Sequence, residues 1–335
     1  MRSFACGHCG RLVFFENTLC LYCQTPQGFV PERLALIALE GAAADELHRC
    51  ANFDLIGCNW MVASQGRLCR SCELTRTRPG DSDKVGITEL TDAESAKRRV
   101  IMQLLDLGLP GVAPDRLSFD LLSSEAEPVT TGHADGVITI DLAESDDARR
   151  EQRRTELGEP YRTMLGHLRH ELGHYFQPQL ISGDDDWSAC RGLFGDDRVD
   201  YGEALDRHYQ SGPPADWPQR FVSAYATMHP MEDWAETFAH YLHIRDTLGT
   251  AADYRVVVGG PRAVADTRQL ESTPRPDAAE RGFDEVLAEW LPLTYALNAV
   301  NRSMGREDLY PFTLAQPVID KLRFVHAHVV SAGAR

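Results

Sequence analysis

Arg169-His170-Glu171-Leu172-Gly173-His174-Tyr175-Phe176 is the stretch on which the reading of this chain turns, because it contains His-Glu-x-x-His. On an α-helix, residues four apart lie one above the other on one face. His170 and His174 can therefore present two imidazoles to one metal ion. Glu171, beside the first of them, can reach a water on that ion as general base. Gly173 costs a helix about 1 kcal/mol relative to Ala, which is reasonable where another element must approach the backbone closely. His167, three residues before His170, reads as a flanking side chain rather than a ligand.

Zinc held by two histidines needs a third protein ligand and keeps its fourth position for water. The best candidate lies downstream, in Tyr225-Ala226-Thr227-Met228-His229-Pro230-Met231-Glu232-Asp233-Trp234-Ala235-Glu236-Thr237-Phe238-Ala239-His240. Pro230 suits the first turn of a helix, and Glu232 and Glu236 share one face of it. Ala235 and Ala239 on that face are small enough for close packing. Glu232 is the expected third ligand, and Glu236, or Asp233, the expected acceptor for the outer nitrogen of a ligand histidine. His229, His240 and His243 compete for the third position, whereas the compact extension with a histidine six residues on is absent, since position 180 is Leu180.

Outward from the motif, helix and strand signals set an α+β class. Thr91-Asp92-Ala93-Glu94 reads as a capping box opening a helix through Val100, Ile101, Leu104, Leu105 and Leu107, stopped by Gly108-Leu109-Pro110. Leu117–Leu122 and Gly136–Leu142 alternate as strands, with turn chemistry at Thr131–Gly136 between them and a loop histidine, His133. A helix is expected from Glu151 toward the motif. The acidic stretch Ser182–Asp197, with the free thiol of Cys190 inside it, reads as a long loop shaping or covering a cleft. Ser211-Gly212-Pro213-Pro214 is another loop. Apolar spacing predicts helices from Ala278 and from about Gln316-Pro317.

Eight of the nine cysteines precede residue 73 and sort into two sets of four. Cys6-x-x-Cys9 with Cys20-x-x-Cys23 makes one tetrahedral zinc site; Cys50, Cys58 and Cys69-x-x-Cys72 make the second. So small a segment has too little core to fold unaided, and metal ligation supplies the missing stability. Four thiolates complete each site, so His8 and His48 are bystanders. The expected organisation is a double zinc ribbon at 1–74, a polar linker at 75–90 and a mainly helical, zincin-like domain with a small sheet at 91–335.

The chain has 335 residues and a net charge of −16, which argues against a general nucleic-acid binder. Within the ribbons acidic and basic residues are balanced, so protein docking is at least as well supported as nucleic acid. No apolar run reaches transmembrane length, and Met1–Cys6 lacks the core of a signal peptide. Nine cysteines without such a signal read as thiols in a reducing compartment, which places the chain in the cytoplasm.

Taken together, the helix pair resembles gluzincin metallopeptidases. Tyr225 followed by Glu232-Asp233-Trp234-Ala235-Glu236-Thr237-Phe238 is similar to lethal-factor-like catalytic domains. That resemblance implies a transition-state tyrosine at Tyr225, the third zinc ligand at Glu232 and a supporting carboxylate at Glu236. The whole chain resembles bacterial zinc-binding metallopeptidases that carry an N-terminal zinc ribbon. The expected activity is hydrolysis of peptide or protein substrates, with one catalytic and two structural zinc ions and Glu171 as base. The alternative is a zinc-ribbon adaptor whose zincin domain binds a protein without cleaving it; the intact Glu171 weighs against that, because a binder has no use for the base.

Overall fold

The computed structural model describes residues 2–41, 46–124, 128–145, 163–276 and 281–334. They form two compact units, one comprising the described residues up to 145 with Thr163–Leu168, the other running from Arg169 onward.

In the first unit, antiparallel hairpins carry the cysteines. Strands β1 (Phe4–Ala5) and β2 (Leu12–Val13) pair, as do β3 (Gln27–Val30) with β4 (Ala35–Ala38) and β5 (His48–Arg49) with β6 (Met61–Val62). Short helices α1 (Phe53–Ile56) and α2 (Arg70–Glu73) complete the cysteine region. Its two halves share one aromatic core. Phe29 packs edge-on to Phe15 at 4.9 Å between ring centroids and tilts against Trp60 at 5.0 Å. Each half is too small to bury these rings alone, so the shared cluster and the cysteine sites together hold the region.

A long helix, α3 (Lys84–Asp106), begins earlier than the capping box suggests. The Asp83 carboxylate accepts from the Gly86 N–H at 2.8 Å and is the actual cap. The Thr91 hydroxyl instead donates to the Ile87 carbonyl inside the helix. Glu94 forms a buried ion pair with Lys97 at 2.7 Å, and both touch Thr75. Thr75 opens strand β7 (Thr75–Thr77), so most of the expected linker at 75–90 is strand and helix, with only a short connection between. Polar composition misled here, because these polar groups find partners within the fold.

Strands β8 (Ser118–Leu122) and β10 (Val137–Asp141) form where alternation predicts them, in parallel register. The sheet order is β7-β8-β10-β9, with β9 (Gly132–Ala134) on the edge. His133 thus lies on a strand rather than in a turn; the turn is Asp135-Gly136, where both residues have positive φ. Buried Phe119, Leu121, Ile138 and Ile140, with Leu90, Val100, Ile101 and Leu104 of α3, make the core of this unit.

The motif helix is α4 (Met164–Leu180). Its expected upstream extension from Glu151 lies outside the described residues. The second unit continues with α5 (Gly183–Phe194), α6 (Tyr201–Ser211), α7 (Pro230–Asp253), α8 (Phe283–Ser303) and α9 (Gln316–Gly333), plus the hairpin β11 (Val258–Gly259) with β12 (Glu271–Ser272). The acidic stretch expected as a loop is therefore mostly α5. Asp184, Asp185 and Asp186 occupy its first turn, where the positive end of the helix dipole favours carboxylates. Cys190 is buried within it and reduced, and burial raises its thiol to about 11.

Helix α7 is the centre of this unit and is buried on most of its faces. Trp234 packs against Phe194 of α5 and Phe324 of α9, and Phe238 stacks on Phe176 of α4. The α+β class, mainly helical with small sheets behind a cysteine-rich segment, is as the sequence leads one to expect.

Candidate metal centre

Glycine at position 173 allows α4 and α7 to meet. A Cβ there would stand 2.8 Å from the Ala235 Cα, closer than any side chain tolerates. The Trp234 indole donates to the Gly173 carbonyl at 2.9 Å across the same contact. Arg169, buried on α4, pairs with Asp246 of α7 at 2.7 Å. These contacts set the spacing between the two helices, and the polar groups follow from it.

His170 Nε2 lies 2.9 Å from Glu232 Oε2 and 3.2 Å from His174 Nε2. His174 Nε2 is 3.4 Å from the same carboxylate oxygen. Three donor atoms from two helices thus face one point, all within 4.8 Å of one another. Behind them, Glu236 Oε1 accepts from His170 Nδ1 at 2.7 Å, and Glu236 Oε2 accepts from the Ser223 hydroxyl at 2.6 Å. Burial works against a charged His170 ring, but the hydrogen bonds and charges of Glu232 and Glu236 outweigh it and hold its pKa well above the usual histidine value. Burial likewise opposes ionisation of Glu236, and His170 outweighs it, bringing that carboxyl to about 2. Glu232 is also driven well below the carboxylate range, by its histidine neighbours against the effect of burial. Two carboxylates drawing positive charge onto an imidazole create a demand that a divalent cation meets, and two nitrogens with one oxygen suit zinc.

Tyr225 lies in a 3₁₀ turn just before α7, its ring 5.9 Å from that of His170. Glu171 follows His170 on α4 and is buried. Burial, with the charge of Glu232, keeps the Tyr225 hydroxyl protonated far above its ordinary pKa. A second tyrosine, which sequence reasoning missed, stands beside it: the Tyr201 hydroxyl donates to Glu232 Oε1 at 3.0 Å. Tyr201 is the first residue of α6, and nothing in its local pattern ties it to a residue thirty-one positions later. Ser223 was equally silent.

The competing histidines are engaged elsewhere. His229 caps α7: its Nδ1 accepts from the Met231 N–H, and its Nε2 donates to the Val199 carbonyl at 3.1 Å. His240 bonds the Tyr310 hydroxyl at 2.8 Å, and His243 stacks on Tyr310. Asp233 points away from the histidines and pairs with buried Lys321 of α9 at 2.6 Å. One residue along a helix is 100° around it, so Asp233 cannot share the face of Glu232.

The eight N-terminal cysteines form two separate groups of four, Cys6, Cys9, Cys20, Cys23 and Cys50, Cys58, Cys69, Cys72. All are free thiols. Sulfur separations are 3.7 Å for Cys6–Cys23 and Cys9–Cys20 and 3.6 Å for Cys58–Cys69. A disulfide would require about 2.05 Å, whereas a tetrahedron with Zn–S near 2.3 Å has an edge of about 3.8 Å. The Cys69 N–H donates to the Cys50 sulfur, and the Gln27 amide to the Cys6 sulfur, as thiolate ligands require.

Comparison with known proteins agrees with this donor chemistry. The chain belongs to the family described as "putative zinc-binding metallo-peptidase", which matches residues 87–328, and a zinc-ribbon domain matches residues 3–83. Uncharacterized proteins of Mycobacterium tuberculosis and Mycobacterium bovis are 50% identical to it, over 98% of this chain and 95% of each relative. No solved structure matches the chain. Among the described residues, no helix is long and apolar enough to cross a membrane.

Proposed function

We propose that this chain is a cytoplasmic, gluzincin-like zinc peptidase acting on peptide or protein substrates. The observation that carries the reading is the convergence of His170, His174 and Glu232 on one point, with Glu236 behind His170. In this reading those three residues hold a catalytic zinc in a catalytic domain at 91–335, and the two cysteine sets hold structural zincs in a ribbon region at 1–74. The ribbon offers a surface for a protein partner rather than for nucleic acid.

When bound, the catalytic zinc would supply an acidified water and a polarised scissile carbonyl. Glu171, next to His170, would serve as the base for a water held there and carry its proton to the leaving amine. The protonated Tyr225 hydroxyl donates a hydrogen bond to the charge developing on the carbonyl oxygen. Glu236 fixes the tautomer and direction of the His170 ring.

The test is a Glu171→Gln variant with zinc counted and turnover followed on a peptide mixture. It keeps three zincs per chain and loses hydrolysis by at least about a hundredfold. Undiminished turnover would sink the mechanism. Glu232→Ala should retain two zincs, and a third zinc kept in that variant would point to another donor.

A further inference from the structure

We infer that Tyr201 is a positioning residue of the metal centre: its hydroxyl holds one oxygen of Glu232, so that only the other is presented to the zinc. The inference rests on the zinc site proposed above. Glu232 is only 2% exposed, so each of its oxygens needs a partner. Oε2 faces His170 and His174 at 2.9 and 3.4 Å, while Oε1 accepts from Tyr201 at 3.0 Å.

Tyr201 is 42% exposed, and its hydroxyl end is placed by its neighbours. Asp200 caps α6 by accepting from the Glu203 N–H at 2.8 Å. The Tyr201 ring lies against His229, with centroids 5.2 Å apart. His229 is both the cap of α7 and the donor to the Val199 carbonyl. The start of α6 is therefore fastened to the start of α7, one turn from Glu232, and the tyrosine hydroxyl arrives at the carboxylate already aimed. Without that hydroxyl a buried oxygen loses its donor, and the carboxylate is free to turn and offer both oxygens.

The experiment uses Tyr201→Phe in the full-length, zinc-loaded chain, titrated with a chelator while released zinc is counted. The ring, and its packing on His229, remain in this variant, so the fold is retained. One zinc per chain is expected to leave at roughly ten- to hundredfold lower chelator, the usual effect of losing an outer partner of a ligand. The two cysteine-bound zincs stay as in the wild type. With cobalt exchanged into the third site, Tyr201→Phe should show a weaker visible band as Glu232 turns to offer both oxygens. Wild-type zinc release together with a wild-type cobalt band in Tyr201→Phe would overturn the inference. His170→Ala separates this from failure of the site itself: a third zinc retained there would overturn the zinc reading, and not merely the role of Tyr201.

Discussion

Gly173 and Ala235 touch backbone to backbone: a side chain on Gly173 would fall 2.8 Å from the Ala235 Cα and 3.1 Å from its carbonyl oxygen. The opposing atoms are main chain, which cannot swing aside. The spacing of the histidines from Glu232 is thus set by a missing methyl group.

Gly173→Ala measures that relationship. Helix propensity alone favours Ala by about 1 kcal/mol, and overpacking of a rigid contact costs typically 1–3 kcal/mol. We expect the steric cost to win, lowering the melting temperature by a few degrees and weakening zinc at the proposed His170, His174 and Glu232 site while the cysteine sites stay loaded. Thermal unfolding with zinc counting checks it. A variant as stable as the wild type would show that the helices can separate freely.

The two cysteine sites should not lose metal together. Cys9 and Cys23 are partly exposed, whereas Cys50, Cys58, Cys69 and Cys72 are all buried. A chelator or thiol reagent reaches the first set more readily, so its zinc should be released first. Stopped-flow zinc release in the wild type, with Cys6→Ser and Cys50→Ser used to assign the phases, tests the order. Release from the Cys50 set first would contradict it.

Acid should destabilise the second unit through buried histidines. Burial lowers His240 to about 4 and His243 to about 3, against about 6.5 in an unfolded chain. Between those values the unfolded state binds more protons, so stability rises with pH across the window and falls as pH drops from about 6.5 toward 4. The expected loss for His240 is on the order of 1–3 kcal/mol between pH 7 and 4. Denaturant unfolding of wild type and His240→Gln at pH 7 and 5 isolates this term, because the remaining groups titrate in both proteins. Equal slopes in the two would remove His240 as the cause.

Much of this protein was legible in its sequence because the signals are local. Two cysteines in a knuckle, or two histidines one helical turn apart, are placed by geometry that a few residues determine. Alternation at Val137–Asp141 likewise foretells its strand. Local signals failed where a polar residue has two possible partners. Thr91 and Glu94 spell a capping box, yet Asp83 caps the helix and Glu94 is drawn into an ion pair with Lys97. The acids at 184–186 suggest a loop, yet they serve the first turn of a helix.

What the tertiary structure alone decided is which distant groups meet. Sequence favoured Glu232 as the third ligand, with His229, His240 and His243 as competitors and Asp233 as an alternative to Glu236. Packing of α7 against α4 turned Glu232 toward the histidines, sent Asp233 to Lys321, and left His229 to cap the helix. Tyr201 reached Glu232 from another helix altogether. A hydrogen bond or a ligand set depends on ångströms and directions, and across two or three helices those are fixed by the packing of side chains against one another.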